Sequence, residues 1–424
     1  MELQGSVQDK IRSFRYRTEA IRLWSVMIAV AIYTGFSSPT PDDPGLIEGG
    51  IAVLLLIGVS PGHFFSRLSH ERRRAPVLLL LYGMTIPLLM GLYYAQLPND
   101  MLRDLIPFLY FLLPAFLYRP SLSTARRTYA QSLAWVLALG GAIFSWRFFQ
   151  VIDLPWHLIG ERQAGDNLLY LSSSPLVPFS AVFLTISAFR RKRFATRAKT
   201  KERKRIPWFR EVLIRFALLL GGLISLAALA ATVQRATFVL VLLTFLVYAL
   251  RRARHSPPAA IFGALITLLF IALLHEPLWG TLQMIWSKTL NVFDNARLAE
   301  LKAVWDHIDR SPLTVLIGNG WGAKFLSPAA GHVWVRYTHT LLSYMLFKAG
   351  LVGLGLTVWY TVVLIRYFWR IWWLEVRTAL ALTPPLILGL TLYPTFKMLG
   401  FGLLLYMLYL YAEGVYQRDL TNET

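Results

Sequence analysis

The chain contains no cysteine. Disulfides, thiolate nucleophiles and thiolate metal ligands are therefore excluded from every reading of its function. Charge is also scarce: aspartate, glutamate, lysine and arginine make up 16% of 424 residues, and only 23 of them are acidic. No carboxylate falls in the middle of a long apolar run, which argues against a proton-coupled transporter built on a buried carboxylate relay. The eight histidines and the carboxylates show no metal-ligand spacing such as HExxH. Chemistry without a metal or cofactor is the expectation. The chain has no obvious internal repeat and no soluble domain at either end.

What the sequence does have is apolar length. Hydrophobic residues form 56% and aromatics 14% of the chain. Runs of about 20 apolar residues, each able to cross a ~30 Å hydrocarbon core, recur throughout and set the class as an all-α polytopic membrane protein. We read twelve spans, near 20–37, 46–64, 75–97, 104–118, 129–147, 170–189, 211–231, 236–250, 258–275, 339–365, 377–395 and 398–414. They form one transmembrane domain over 1–424. A long polar stretch, 276–338, separates the ninth and tenth spans. The first run has no small-residue cleavage site after it and is expected to remain as an anchor.

The net charge of +20 is topological. With the N-terminus placed in the cytoplasm, 31 of the 43 lysines and arginines fall on that side and 12 on the other. Acidic residues divide as 10 and 13, leaving about +21 inside and −1 outside. Both termini are then cytoplasmic. The stretch from Arg190 to Arg215, with twelve cations, is an inner-leaflet anchor and not a nucleic-acid arm.

The cations on the outer side are the ones that need a reason. Counting sixteen helical residues back from Arg251 at the inner boundary reaches only ~24 Å. Arg235 is therefore expected below the outer headgroup level, where a guanidinium requires water or an anion. Snorkelling to the interface is the bland account; a phosphate, which a guanidinium grips with a planar fork, is the sharper one. Arg147 and Arg162 flank another outer loop and fit interfacial anchors as well as ligands. A helix is expected over 295–309, with Leu298, Leu301, Val304, Trp305 and Ile308 on one face, lying on the membrane or roofing a cavity. Gly318-Asn319-Gly320-Trp321-Gly322 has the glycines for a tight loop and close backbone approach to a substrate, although a plain connection has the same spacing. Arg336 precedes His339, which opens the tenth span with Thr338 as expected N-cap. A helix start there aims free amides at a nearby anion. In a regular helix Lys348 lies about 180° from His339. The histidine fits both a satisfied interfacial residue and a general base that titrates near neutral pH.

Taken together, His339-Thr340-x-x-Ser343-x-x-Leu346-x-Lys348-x-Gly350-x-x-Gly353 resembles the signature of the O-antigen ligase and polymerase superfamily. So do Gln234-Arg235-Ala236 and Arg297…Trp305…Ser311-Pro312-Leu313…Gly318-Asn319-Gly320. The motifs span about 140–365, and the twelve-span layout is similar to the ligases in particular. The resemblance implies a GT-C-like membrane glycosyltransferase of a bacterial inner membrane, with the 276–338 loop in the periplasm. The donor it implies is a glycan on undecaprenyl pyrophosphate, the acceptor a lipid A-core sugar. His339 would be base or orienter. Arg235 and Arg162 would hold the pyrophosphate, with Arg147, Arg297, Asn319, Arg336 and Lys348 as further substrate contacts. Many relatives have asparagine and glutamate where this chain has Thr340 and Lys348. An O-antigen polymerase, or a lipid-linked glycan transporter, are the alternatives.

Overall fold

The computed structural model describes residues 2–39, 45–62, 64, 74–120, 122–151, 171–189, 208–232, 234–253 and 296–422. Side chains are described for these except at 2–17, 208, 235, 296, 297 and 415–422. The described chain is helical apart from one small hairpin: α1 (Glu2–Phe36), α2 (Leu46–Ile57), α3 (Arg74–Tyr93), α4 (Pro98–Phe111), α5 (Leu113–Phe116), α6 (Ser123–Val151), α7 (Leu176–Phe189), α8 (Trp208–Ala231), α9 (Arg235–Ala253), α10 (Ala296–Ile308), α11 (Pro312–Ile317), β1 (Phe325–Ser327), β2 (Val333–Val335), α12 (Leu341–Leu374), α13 (Val376–Ile387) and α14 (Leu399–Asn422). Among the described residues, six helices are long and apolar enough to cross a membrane, and four shorter apolar helices accompany them. The chain is thus a helical, multi-pass membrane protein.

Eleven of the twelve expected spans have a helix; the ninth, 258–275, lies outside the described residues. The fourth starts earlier than expected and breaks at Leu112 into α4 and α5. The eleventh carries Pro384 and Pro385 and ends in a π turn, Leu388–Leu392. The stop comes at Tyr393, held extended at φ −131 and ψ 152, because a residue before a proline, here Pro394, is pushed out of the helical region.

Burial separates central from peripheral helices. α7 is buried on nearly every side, and α14 is buried throughout 399–414. A helix apolar all round belongs in the interior. α6 packs against both, while α8 and α13 flank α7. α12 leaves Leu351, Val352, Val358 and Ile365 exposed along its length, as expected of a lipid-facing stripe. Lipid is as apolar as leucine, so these contacts depend on close packing and interhelical hydrogen bonds. Ser225 donates to Ser180 at 3.1 Å between α8 and α7. Phe111 meets Tyr360 edge-on at 5.0 Å.

α12 is broken at Gly350, which has φ 64 and ψ −164. The break is matched to the glycine loop before it. Freed carbonyls at Phe347 and Lys348 accept from the amides of Asn319 and Gly320, both at 3.0 Å, and the Ala349 carbonyl accepts from the Tyr82 hydroxyl at 2.7 Å. A Cβ on Gly350 would strike the Leu316 carbonyl. The same loop uses a second interruption. Pro87 cannot donate to Gly83, four residues back in α3, and the Trp321 indole donates to that Gly83 carbonyl at 2.7 Å. The Trp321 amide donates to Pro87 itself at 2.9 Å. Two irregular helices are thus tied together through one loop.

Candidate functional site

Behind that loop lies a buried ion pair. Lys348 is closed off from solvent and reaches Asp104 Oδ2 at 2.5 Å and the Ala323 carbonyl at 2.6 Å. Asp104 also accepts from the Gly322 amide at 2.8 Å. Lys348 was expected to be a substrate contact; its ammonium is instead closed off and held by two protein oxygens. Asn319 was expected at the substrate too. It is buried against the break in α12, and its side-chain Nδ2 has no hydrogen-bond partner. Of the two readings of the glycines, the plain connection is the one seen: Gly318 and Gly320 lie against the backbones of α12 and α3, and Gly322 against Gln96 and Met101.

His339 stands just before α12. The N-cap is Thr340, whose hydroxyl accepts from the Ser343 amide, and not Thr338 as expected. Thr338 is fully buried and accepts from the Ser343 hydroxyl at 2.8 Å. His339 therefore has no helical phase with Ser343. A hydroxyl network holds the chain on either side of it.

The partner of His339 is Glu300 of α10. Nδ1 lies 3.0 Å from Glu300 Oε1, and the His339 amide donates to Oε2 at 3.0 Å. Ser327 at the end of β1 donates to Oε1 at 3.1 Å. Burial alone would push the Glu300 carboxyl up. The hydrogen bonds from the His339 ring and amide and from Ser327 outweigh it and hold the carboxyl below the usual glutamate range. An ionised carboxylate only accepts, so Nδ1 carries the proton facing it, and in the neutral form of such a ring Nε2 is the acceptor. Glu300 is only 2% exposed, whereas the His339 side chain is 36% exposed. The imidazole is held from the buried side and open on the other.

α10 presents Glu300 because positions 300, 304 and 308 share one face. Val304 and Ile308 are fully buried with it, in a small cluster containing Phe325 and Phe347. The expected helix is present, and of its apolar residues Leu298, Leu301 and Trp305 stay 58%, 41% and 43% exposed. A stripe at spacing four ending in valine and isoleucine was the available signal for Glu300.

The hairpin after α11 adds cations. Phe325 pairs with Val335, which places Lys324 and Arg336 at its open end. Both reach Asp100 at the start of α4, at 2.7 and 3.1 Å. Arg336 and Tyr337 then form part of a cavity of about 960 Å³. Arg103 and Lys397 also line it, together with the carboxylates of Glu48 and Asp104 and apolar side chains of α2, α4 and the turns before α14. Lys397 Nζ sits 3.7 Å from the centre of the Tyr337 ring and forms no ion pair among the described residues. Burial pushes its ammonium well below the ordinary lysine value; Asp104 opposes that shift, and Lys348 and Arg336 reinforce it. The cavity also touches Gln234 and Thr237, on either side of the Arg235 position that opens α9.

Of the remaining expected residues, Arg147 is turned away from this cavity. Its Nη1 donates to the carbonyls of Thr34 and Ser37 at 2.9 and 2.7 Å, closing the C-terminal end of α1 as a cation should. Arg162 lies outside the described residues, as do the side chains of Arg235 and Arg297. The structure brings together His339, Glu300, Arg336, Lys397 and Arg103 at one end of the bundle. Glu300, Lys397 and Arg103 were missed as site residues by sequence reasoning. No family model matches the chain, and no curated protein matches it.

Proposed function

We propose that this protein is a glycosyltransferase of the O-antigen ligase type, transferring a glycan from undecaprenyl pyrophosphate to a lipid A-core sugar at the periplasmic face of a bacterial inner membrane. Its architecture is read as twelve spans of GT-C-like type with both termini cytoplasmic. The observation that carries the reading is the pairing of His339 with Glu300 two residues from a cavity that combines apolar walls with Arg103, Arg336 and Lys397. Apolar walls suit a polyprenyl chain, and cations suit its pyrophosphate.

In this mechanism Nε2 of His339 accepts the proton of the acceptor hydroxyl, and Glu300 stabilises the imidazolium that forms. The acceptor oxygen bonds to the anomeric carbon as the bond to pyrophosphate breaks, with inversion in a single displacement. Negative charge grows on the leaving group, and placed cations are worth most there. Arg235, at the start of α9 beside the cavity, is assigned to that charge with Arg336. No step is routed through a metal.

The test uses the purified full chain with lipid-linked glycan, with and without core lipid A. Transfer that requires core lipid and is lost in His339→Ala and Arg235→Ala is the expected result. Intact transfer in His339→Ala would overturn the mechanism. Elongation of glycan without core lipid would assign a polymerase, and movement across the membrane without bond cleavage a transporter.

A further inference from the structure

A second cavity, of about 230 Å³, opens where the end of α9 meets the turn between α12 and α13. Three arginines line it: Arg251, Arg252 and Arg377. Its single carboxylate, Glu375, is already held by Arg127 at 2.5 Å. Among the described residues Arg251 and Arg252 form no ion pair, and Arg252 Nε is buried without a hydrogen-bond partner. The Arg251 guanidinium lies over the rings of Trp372 and Trp373, at 5.9 and 5.3 Å. Arg377 is fixed by packing 4.2 Å from the centre of the Phe183 ring and donating to Ser187 at 3.0 Å. α13 begins at the same place, with no side-chain cap from Glu375.

Positive charge thus exceeds negative in a pocket whose other walls, Tyr248 and Leu374 among them, are apolar. Buried donors without partners require an acceptor. An anion that brings its own apolar part satisfies both halves of the pocket; a free, fully hydrated anion satisfies one. The site lies at the helix ends that the lysine and arginine census assigns to the cytoplasmic leaflet, beside the two indoles expected at a membrane interface. We infer that this cavity binds the phosphate of an anionic phospholipid from the adjoining leaflet. Basic pockets between membrane helices are suited to such headgroups. This inference stands independently of the glycosyltransferase reading.

The experiment uses the full chain in neutral detergent, with native mass spectrometry at equal concentrations of phosphatidylglycerol and phosphatidylcholine. Phosphatidylglycerol should be retained about tenfold or more over phosphatidylcholine. The Arg251→Gln/Arg252→Gln variant should lose most of that preference. Arg366→Gln, which removes an exposed cation of α12 outside the cavity, should keep it. Equal retention of the two lipids by the unmodified chain overturns the inference without recourse to any variant. Equal loss in Arg366→Gln overturns it by showing general charge attraction. Displacement of the lipid by millimolar inorganic phosphate assigns a free-phosphate site instead.

Discussion

Glu300 holds His339 by two bonds at once, one to the ring Nδ1 and one to the backbone amide, both at 3.0 Å. The carboxylate therefore fixes the rotamer, the tautomer and the local backbone of the histidine together. Glu300→Gln keeps the size but replaces an acceptor oxygen with a donor. Glycan transfer should fall by a factor on the order of 10²–10⁴, the usual range for losing a positioned acid or base, while donor binding changes little. Transfer rates and donor affinity measured on the same preparation check this.

The same pair gives a pH dependence of stability. Glu300 has its carboxyl lowered in the folded chain, so its contribution is complete above the unfolded glutamate value of about 4.3. It is lost as pH falls through the lower folded value. The gap in thermal stability between the unmodified chain and Glu300→Gln should be widest near neutral pH and close on acidification. Melting curves in detergent across that range would show a constant gap if the bond contributed nothing.

Lys348 and Asp104 form a pair with side chains 0% and 5% exposed. Removing one partner leaves an uncompensated buried charge, at a cost of about 3–5 kcal/mol. Lys348→Met and Asp104→Asn should each destabilise strongly. The double variant should recover much of the loss, because neither charge is then stranded. A double-mutant cycle on unfolding midpoints reads the coupling directly.

Two glycines of α12 should respond oppositely to alanine. Gly350 has positive φ and its Cβ would meet the Leu316 carbonyl, whereas nothing lies within 4 Å of a Cβ on Gly355. Gly350→Ala should cost at least about 1–2 kcal/mol from backbone conformation alone. Gly355→Ala should be neutral or stabilise by up to about 1 kcal/mol through helix propensity. Detergent melting of both variants separates local conformational need from a general intolerance of change.

Lys397 tests the site against stability. It lines the larger cavity without an ion pair, and burial disfavours its charge. Lys397→Met should raise the melting temperature and weaken donor binding several-fold. A variant that bound donor normally would remove Lys397 from the pyrophosphate site.

The sequence by itself determined the membrane class and, to within a residue, the start of α9. Those follow from runs and periodicities that each segment carries alone. His339 could be found because it stands at a loop-to-helix junction. What the tertiary structure decided is which polar side chains face one another. Glu300 reaches His339 across 39 residues, Lys348 reaches Asp104 across 244, and Arg147 reaches Thr34 of α1 across 113. Helical phase placed Lys348 opposite a histidine that is in fact outside the helix, and no local rule could reveal that Gly350 breaks α12 to receive Asn319 and Gly320. A buried charge or a broken backbone is tolerable only where a distant segment supplies its partner. The chain states the cost locally, and only the fold shows what offsets it.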